Sequence, residues 1–361
     1  MALVNSNSAK FHSAEIKARA WLLQAHLRAD AKGFCHNRWI YLPDAIAWAK
    51  PYPETSGYLI ENLLEDRLSK DWGFKAACAT MDWLLEIQSE EGYFHSGLEF
   101  KLPSAFNTAQ ILFGFRSFLN FQNDVRVEVA MDRATNWLLA QIDENGCWTQ
   151  GLYSTGHFPA YYSRAIWPLL EISKTKPGYS NLLKSLDLLW ACRKEHLYFA
   201  PCNFFPYSPV LSHTLAYAME GFLESARNLN RKDIMETCLD MLEQTASEYL
   251  KRSRLWAEIS DSGSRIYSYR CLTGEAQYAS LMFKAFLLNP RPDFLKAGEG
   301  LLHDLCRAQR VSRNPGLHGA FPASIPVYGK YFPFRCVNWT SKFFLDAVRL
   351  WRQCMLLPDG V

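Results

Sequence analysis

Two carboxylates, Glu54 and Glu275, and five proton donors or acceptors, Tyr58, Tyr161, Tyr162, His213 and Tyr331, are the residues of this sequence suited to acid–base chemistry. Paired carboxylates flanking a glycosidic bond would make a hydrolase. A Tyr or His base beside a group that neutralises a uronate would instead make a lyase or a C5-epimerase, by taking the proton next to the carboxylate. The residue types leave all three open. Glu220 sits deeper in its segment, where it suits a buried partner for a base, and His95 and His318 follow turn glycines and read as loop residues. We expect Glu54, Tyr58, Tyr162, His213 and Glu275 to do the chemistry. Asn107, Gln110, Tyr161, Arg164, Tyr217, Thr273, Gln277, Tyr331, Asn338 and Lys342 are expected to bind substrate.

These residues are brought to one level by a repeat. Trp83-Leu84-Leu85 followed by Gly92 and Phe94 recurs as Trp137-Leu138-Leu139 followed by Gly146 and Trp148, a constant offset of 54. Internal periods of this size mark stacked supersecondary units. Amphipathic helices are predicted at 13–28, 75–89, 128–143, 180–194, 233–250 and 292–309. Helices apolar nearly all round are predicted at 54–68, 105–121, 160–174, 211–228, 273–288 and 338–353. A one-sided helix belongs on an outer ring and an all-round apolar one inside it. Six such pairs predict an all-α, (α/α)6 toroid spanning 1–361, with 1–12 as a flexible lead; an open solenoid is the competing arrangement.

In that toroid the inner helices start at one mouth of a central funnel, and the candidate residues open those helices. Ser and Thr at these starts are natural N-caps. Six helix N-termini, with Arg164, His213 and Lys342, favour an anionic ligand. The loops leading there carry Tyr198, Phe199, Phe204, Phe205, Tyr207, Tyr328, Tyr331 and Phe332, flat faces that suit a sugar ring beside hydrogen-bonding groups.

A net charge of +3 over 361 residues, with no dense basic run, offers little to nucleic acid or to an anionic membrane surface. No apolar stretch long enough for a transmembrane helix and no signal-peptide pattern is present, so a cytoplasmic protein is expected. Ten cysteines without CxxC pairs read as reduced thiols. Cys35-His36 lacks a second ligand pair, and neither a metal nor another cofactor is expected. Walker, GxGxxG and GxSxG motifs are absent. The oligomeric state is left open.

Gln88-Ser89-Glu90-Glu91-Gly92-Tyr93-Phe94 and Gln141-Ile142-Asp143-Glu144-Asn145-Gly146-Cys147-Trp148 resemble the Q-and-W-type repeats of squalene cyclase and prenyltransferase toroids. Tyr52-Pro53-Glu54-Thr55-Ser56-Gly57-Tyr58, Phe106-Asn107-Thr108-Ala109-Gln110, Cys271-Leu272-Thr273-Gly274-Glu275-Ala276-Gln277 and Asn338-Trp339-Thr340-Ser341-Lys342-Phe343-Phe344 resemble bacterial toroids associated with exopolysaccharide biosynthesis. A weaker similarity connects the paired tyrosines to glucuronyl C5-epimerases and (α/α)6 polysaccharide lyases. The resemblance implies a carbohydrate-active enzyme of surface-polysaccharide assembly acting on an acidic or amino sugar. An isoprenoid cyclase or transferase is the alternative, although the D-x-D-D segment of the cyclases and the zinc site of the prenyltransferases are missing. A non-catalytic glycan-binding protein is the third reading.

Overall fold

The computed structural model describes residues 2–64, 72–97, 102–194 and 198–357. Among these, twelve long helices alternate between two rings. The outer ones are α1 (Ala2–Leu27), α3 (Trp72–Ile87), α5 (Val125–Ala140), α7 (Tyr179–Trp190), α9 (Lys232–Arg252) and α11 (Pro292–Ala308). The inner ones are α2 (Pro53–Leu64), α4 (Ala105–Phe121), α6 (Ser163–Ile172), α8 (Ser212–Leu229), α10 (Leu272–Leu288) and α12 (Asn338–Met355). Each predicted helix is present, all but the first starting within a few residues of its expected bound; 65–68 of the first inner helix lie outside the described residues.

Burial explains the division. The outer helix α11 buries Phe294, Ala297, Leu301, Leu302 and Leu305, a single stripe at helical spacing. The inner helix α10 is buried without interruption from Leu272 to Phe283. Each inner helix packs on the next, α2 on α4 through to α10 on α12, and α12 returns to α2. The arrangement is therefore a closed (α/α)6 toroid and not an open solenoid. Antiparallel pairing of Asn37–Trp39 with Arg335–Val337 ties the first connector to the last.

Each inner helix makes its closest outer contact with the helix that follows it, and α12 makes its own with α1. Short links such as 122–124, 230–231 and 289–291 join those pairs at one end of the ring. Long connectors such as 28–52, 141–162 and 309–337 lead into the inner helices at the other end. Long loops tolerate varied content at small entropic cost, so this end can carry a site while the short end closes the ring.

One expectation is corrected. Residues 7–12 are not a flexible lead but part of α1: Phe11 is fully buried against His303 and Trp351, and Asn7 donates to Glu299 at 3.4 Å. Burial of this apolar side chain between two aromatic rings helps offset the entropy lost in ordering the turn.

Candidate active site

The hydroxyls that open the inner helices mostly bind neighbouring segments instead of capping. Ser104 does cap α4 by accepting from the Asn107 amide, but Ser56 Oγ accepts from the Phe34 amide at 2.9 Å and Thr108 Oγ1 accepts from the Phe94 amide at 2.9 Å. Ser163 donates to the Ala218 carbonyl, and Thr273 and Thr340 bond to each other at 2.6 Å. These bonds fix inner helices to each other and to the connectors, which sets the level at which the next residues meet.

At that level a cavity of about 350 Å3 opens at the mouth of the ring. Aromatic faces dominate its wall: Tyr52, Phe106, Tyr153, Phe204, Phe332 and Trp339 stand among them. Of the expected site residues, Glu54, Tyr58, His213, Tyr217 and Tyr331 line it. Glu54 is its one acidic lining residue among those described. No donor among the described residues reaches the Glu54 carboxyl, and burial pushes it up to about 8, against a weaker opposing pull from the Arg164 guanidinium. Its charge would in turn raise Tyr52, Tyr58, Tyr153, Tyr161, Tyr162 and Tyr217, so it sits inside a shell of phenols.

His213 is the second titratable group. Its Nδ1 lies 2.6 Å from Gln277 Oε1, so with the amide in this orientation Nδ1 carries the hydrogen and Nε2 the lone pair. Burial pushes the imidazole down to about 4. Aromatic rings hold it in place, with Tyr217 at 4.5 Å and Tyr331 at 5.5 Å between centroids. Tyr58 and Tyr217 line the cavity beside it, and Tyr331 accepts from Trp339 Nε1 at 2.8 Å. At neutral pH the cavity thus holds a protonated carboxyl and an unprotonated imidazole.

The other expected residues lie behind this wall. Glu275 is 2% exposed and held by both Nε and Nη2 of Arg270, at 2.7 and 2.5 Å, and it does not line the cavity. Arg164 is buried between the rings of Tyr217 and Phe343, bonded to Gln110 at 2.9 Å and ion-paired with Glu220. Lys342 is likewise buried, on Asp346 at 2.5 Å and Glu61 at 3.3 Å. Neither cation lines the cavity, so the positive wall expected for an anionic ligand is absent among the described lining residues. The physical reason is that the cations at the axis are consumed by carboxylates, Glu220 also binding Lys284 at 2.7 Å.

Asn107 supports the wall without forming it, donating to Tyr52 Oη at 3.0 Å and accepting from Tyr153 Oη at 3.0 Å. Tyr161 and Tyr162 pack on Phe106 behind the cavity, and Asn338 donates to Thr55 Oγ1 at 3.1 Å. His36, Tyr52, Tyr153 and Trp339 line the cavity and were not expected as site residues. Tyr52 and Trp339 each adjoin an inner-helix motif, which was the one signal for them; nothing in the sequence singled out Tyr153. Among the described residues no group of three His, Cys, Asp or Glu side chains could hold a metal ion, Cys35 and His36 included.

No protein-family model and no curated protein matches the sequence. Solved structures do resemble the fold. A cellobiose 2-epimerase from Bacillus thermoamylovorans aligns with a TM-score of 0.73 at 12% identity, over 96% of this chain and 99% of that one. An unsaturated glucuronyl hydrolase specific for heparin aligns with 0.71 at 12% identity, over 97% and 98%. The unsaturated glucuronyl hydrolase of Bacillus sp. GL1, responsible for degradation of glycosaminoglycan, aligns with 0.70 at 14% identity, over 95% and 97%. At such identities the likeness is one of fold.

Proposed function

We propose that this toroid is a carbohydrate-active enzyme that moves a proton on a sugar unit, an epimerase in its reaction class, with Glu54 and His213 as the acid–base pair. The observation that carries the reading is the pairing of opposite protonation states in one aromatic cavity: Glu54 holds its proton up to about 8 and His213 stays neutral down to about 4. In the step, His213 Nε2 takes a proton from a carbon next to a carbonyl, the electron pair moves onto the carbonyl oxygen, and a proton is then returned to the opposite face from Glu54. Tyr58 and Tyr217, which both line the cavity, would donate their hydroxyls to the developing oxyanion. A proton relayed through water from the His213 imidazolium to the Glu54 carboxylate then restores both groups.

Hydrolysis by two carboxylates has less support, because Glu275 is engaged by Arg270 away from the cavity. A uronate substrate has less support than a neutral or N-acetylated amino sugar, since Arg164 and Lys342 are already paired. Sugar-active neighbours of the same fold agree with a saccharide ligand. Surface-polysaccharide assembly is the pathway that the inner-helix motifs favour, and ten free thiols fit a reducing compartment. The test is incubation with neutral and N-acetylated reducing sugars in heavy water. Deuterium at the carbon beside the carbonyl, lost in Glu54→Gln and in His213→Ala, supports the reading; unlabelled sugar recovered from every incubation refutes it.

A second reading, an isoprenoid cyclase, draws on the same wall, because a neutral carboxyl among aromatic faces can protonate an alkene and stabilise the cation formed. Conversion of a polyprenyl substrate with Glu54-dependent deuterium uptake would favour it over the sugar.

A further inference from the structure

Two loops edge the mouth of the cavity, 203–208 and 326–334, and each sends an aromatic ring into its wall, Phe205 and Phe332. Their backbones are unusual. Among the described residues seven non-glycines adopt a left-handed φ, and four of them, Asp30, Ala31, Asn230 and Ser253, end or follow helices, where that conformation terminates a helix. The remaining three, Tyr207, Phe332 and Phe334, are all aromatics on these two loops.

Tyr207 is the sharpest case. The Ser208 amide donates to the Phe205 carbonyl at 3.2 Å, closing a turn with Pro206 second and Tyr207 third, at φ 64°. A turn with proline second and positive φ third favours glycine or asparagine at that place, since a Cβ there is crowded. The turn is nevertheless held firmly, by Asn203 Nδ2 donating to the Ser208 carbonyl at 2.6 Å and by His157 Nε2 against the Asn203 carbonyl at 2.9 Å. The Tyr207 side chain is 99% exposed, so it returns no packing energy for the conformation it occupies. Strain kept at a site without a stabilising return is a mark of function.

Among the described residues the cavity is closed on its inner side. Beneath Tyr58 and Tyr217 the axis is filled by Arg164, Phe343 and Lys342, each at most 2% exposed. Phe205, which lines the cavity and is still 58% exposed, continues the aromatic surface outward towards Tyr207. Only the end of a chain can reach Glu54 in a pocket closed below, and the neighbouring units of that chain must leave over this loop.

We propose that the substrate is the terminal unit of a saccharide chain, bound in the cavity while the neighbouring unit stacks on the Phe205–Tyr207 turn. This rests on the sugar-active reading above. The experiment measures binding, by calorimetry, of glucose and N-acetylglucosamine and of their β-1,4-linked di-, tri- and tetrasaccharides to the full chain. Affinity is expected to rise about ten-fold from the monosaccharide to the di- or trisaccharide and then level off. Tyr207→Asn, which keeps the left-handed turn, is expected to remove that rise while leaving monosaccharide affinity unchanged; Tyr207→Phe is expected to retain it. Monosaccharide binding with a flat length profile, or an unchanged profile in Tyr207→Asn, overturns this inference and leaves the sugar reading standing. Failure of every saccharide to bind overturns both. Tyr207-dependent sedimentation with phosphatidylcholine–phosphatidylglycerol vesicles would reassign the ring to a lipid surface and overturn the inference as well.

Discussion

The imidazole Nδ1 of His213 and the Oε1 of Gln277 lie 2.6 Å apart across two adjacent inner helices, α8 and α10. With the amide in this orientation that contact leaves Nε2 as the basic nitrogen of a ring that lines the cavity. Gln277→Glu would place a negative charge on the same spot and stabilise the imidazolium. The acidic limb of the pH–rate profile should then move upward by a unit or more, while Gln277→Leu should lower kcat with little change in KM. Steady-state kinetics from pH 3.5 to 9 would show both.

Wild-type kcat/KM should be bell-shaped. Activity is expected to fall below about 4, where His213 gains a proton, and above about 8, where Glu54 loses one. Glu54→Gln should lower kcat by about 10²–10⁴-fold and remove the basic limb. Retention of that limb in the variant would assign it to another group.

Glu54 also makes a stability prediction of defined sign. Its folded value, about 8, is above its ordinary 4.5, so between these values the folded state binds the extra proton. Stability from this group is therefore full below pH 4.5 and is lost as pH rises through 8. Glu54→Gln, which cannot ionise, should match the wild-type melting temperature near pH 4.5 and exceed it by a margin that grows towards pH 8. Thermal melts at four pH values would measure that margin.

Arg164 and Glu220 are an interior pair with little solvent around them. Arg164→Met should destabilise the fold, by less than the about 3–5 kcal/mol of a wholly unpaired buried charge, because Glu220 loses Arg164 but keeps Lys284 at 2.7 Å. Adding Glu220→Met should recover much of that loss. Urea denaturation of the two variants tests the sign of the recovery.

The inner helices α2 and α4 cross closely. A Cβ on Gly114 would stand 2.2 Å from the Gly57 carbonyl oxygen, a backbone atom that cannot rotate away. Gly114→Ala must separate the helices and should lower the urea midpoint clearly, whereas Ala at the exposed-side Gly156, which meets nothing within 4 Å but has φ 74°, should cost only the strain of its turn. Equal losses at both positions would refute the close-crossing account.

Much of the ring was legible before folding. The 54-residue echo of Trp83-Leu84-Leu85 in Trp137-Leu138-Leu139 and the unbroken apolar circumference of 273–288 are local periodicities, and helix formation obeys local periodicity. The same register located Glu54, Tyr58, His213 and Tyr217 at one level, because residues near the starts of parallel inner helices must share it, while Tyr331 comes to the cavity from the 309–337 connector. Sequence could not tell which polar residues at that level would face inward to the cavity and which would be claimed by neighbours. Glu275 is claimed by Arg270 five residues earlier, while Arg164 is claimed by Glu220 fifty-six residues later. Tyr153 reaches the wall from a long connector whose path no periodicity describes.

Sequence by itself determined the helices, their alternation and the level at which polar side chains gather, since each follows from the spacing of apolar residues along one chain. Tertiary structure alone decided the charge of the site. Whether a carboxyl is paired, as in Glu275, or left desolvated with its proton, as in Glu54, depends on groups brought within a few ångströms by packing, and electrostatic energy at that range changes steeply with distance and burial.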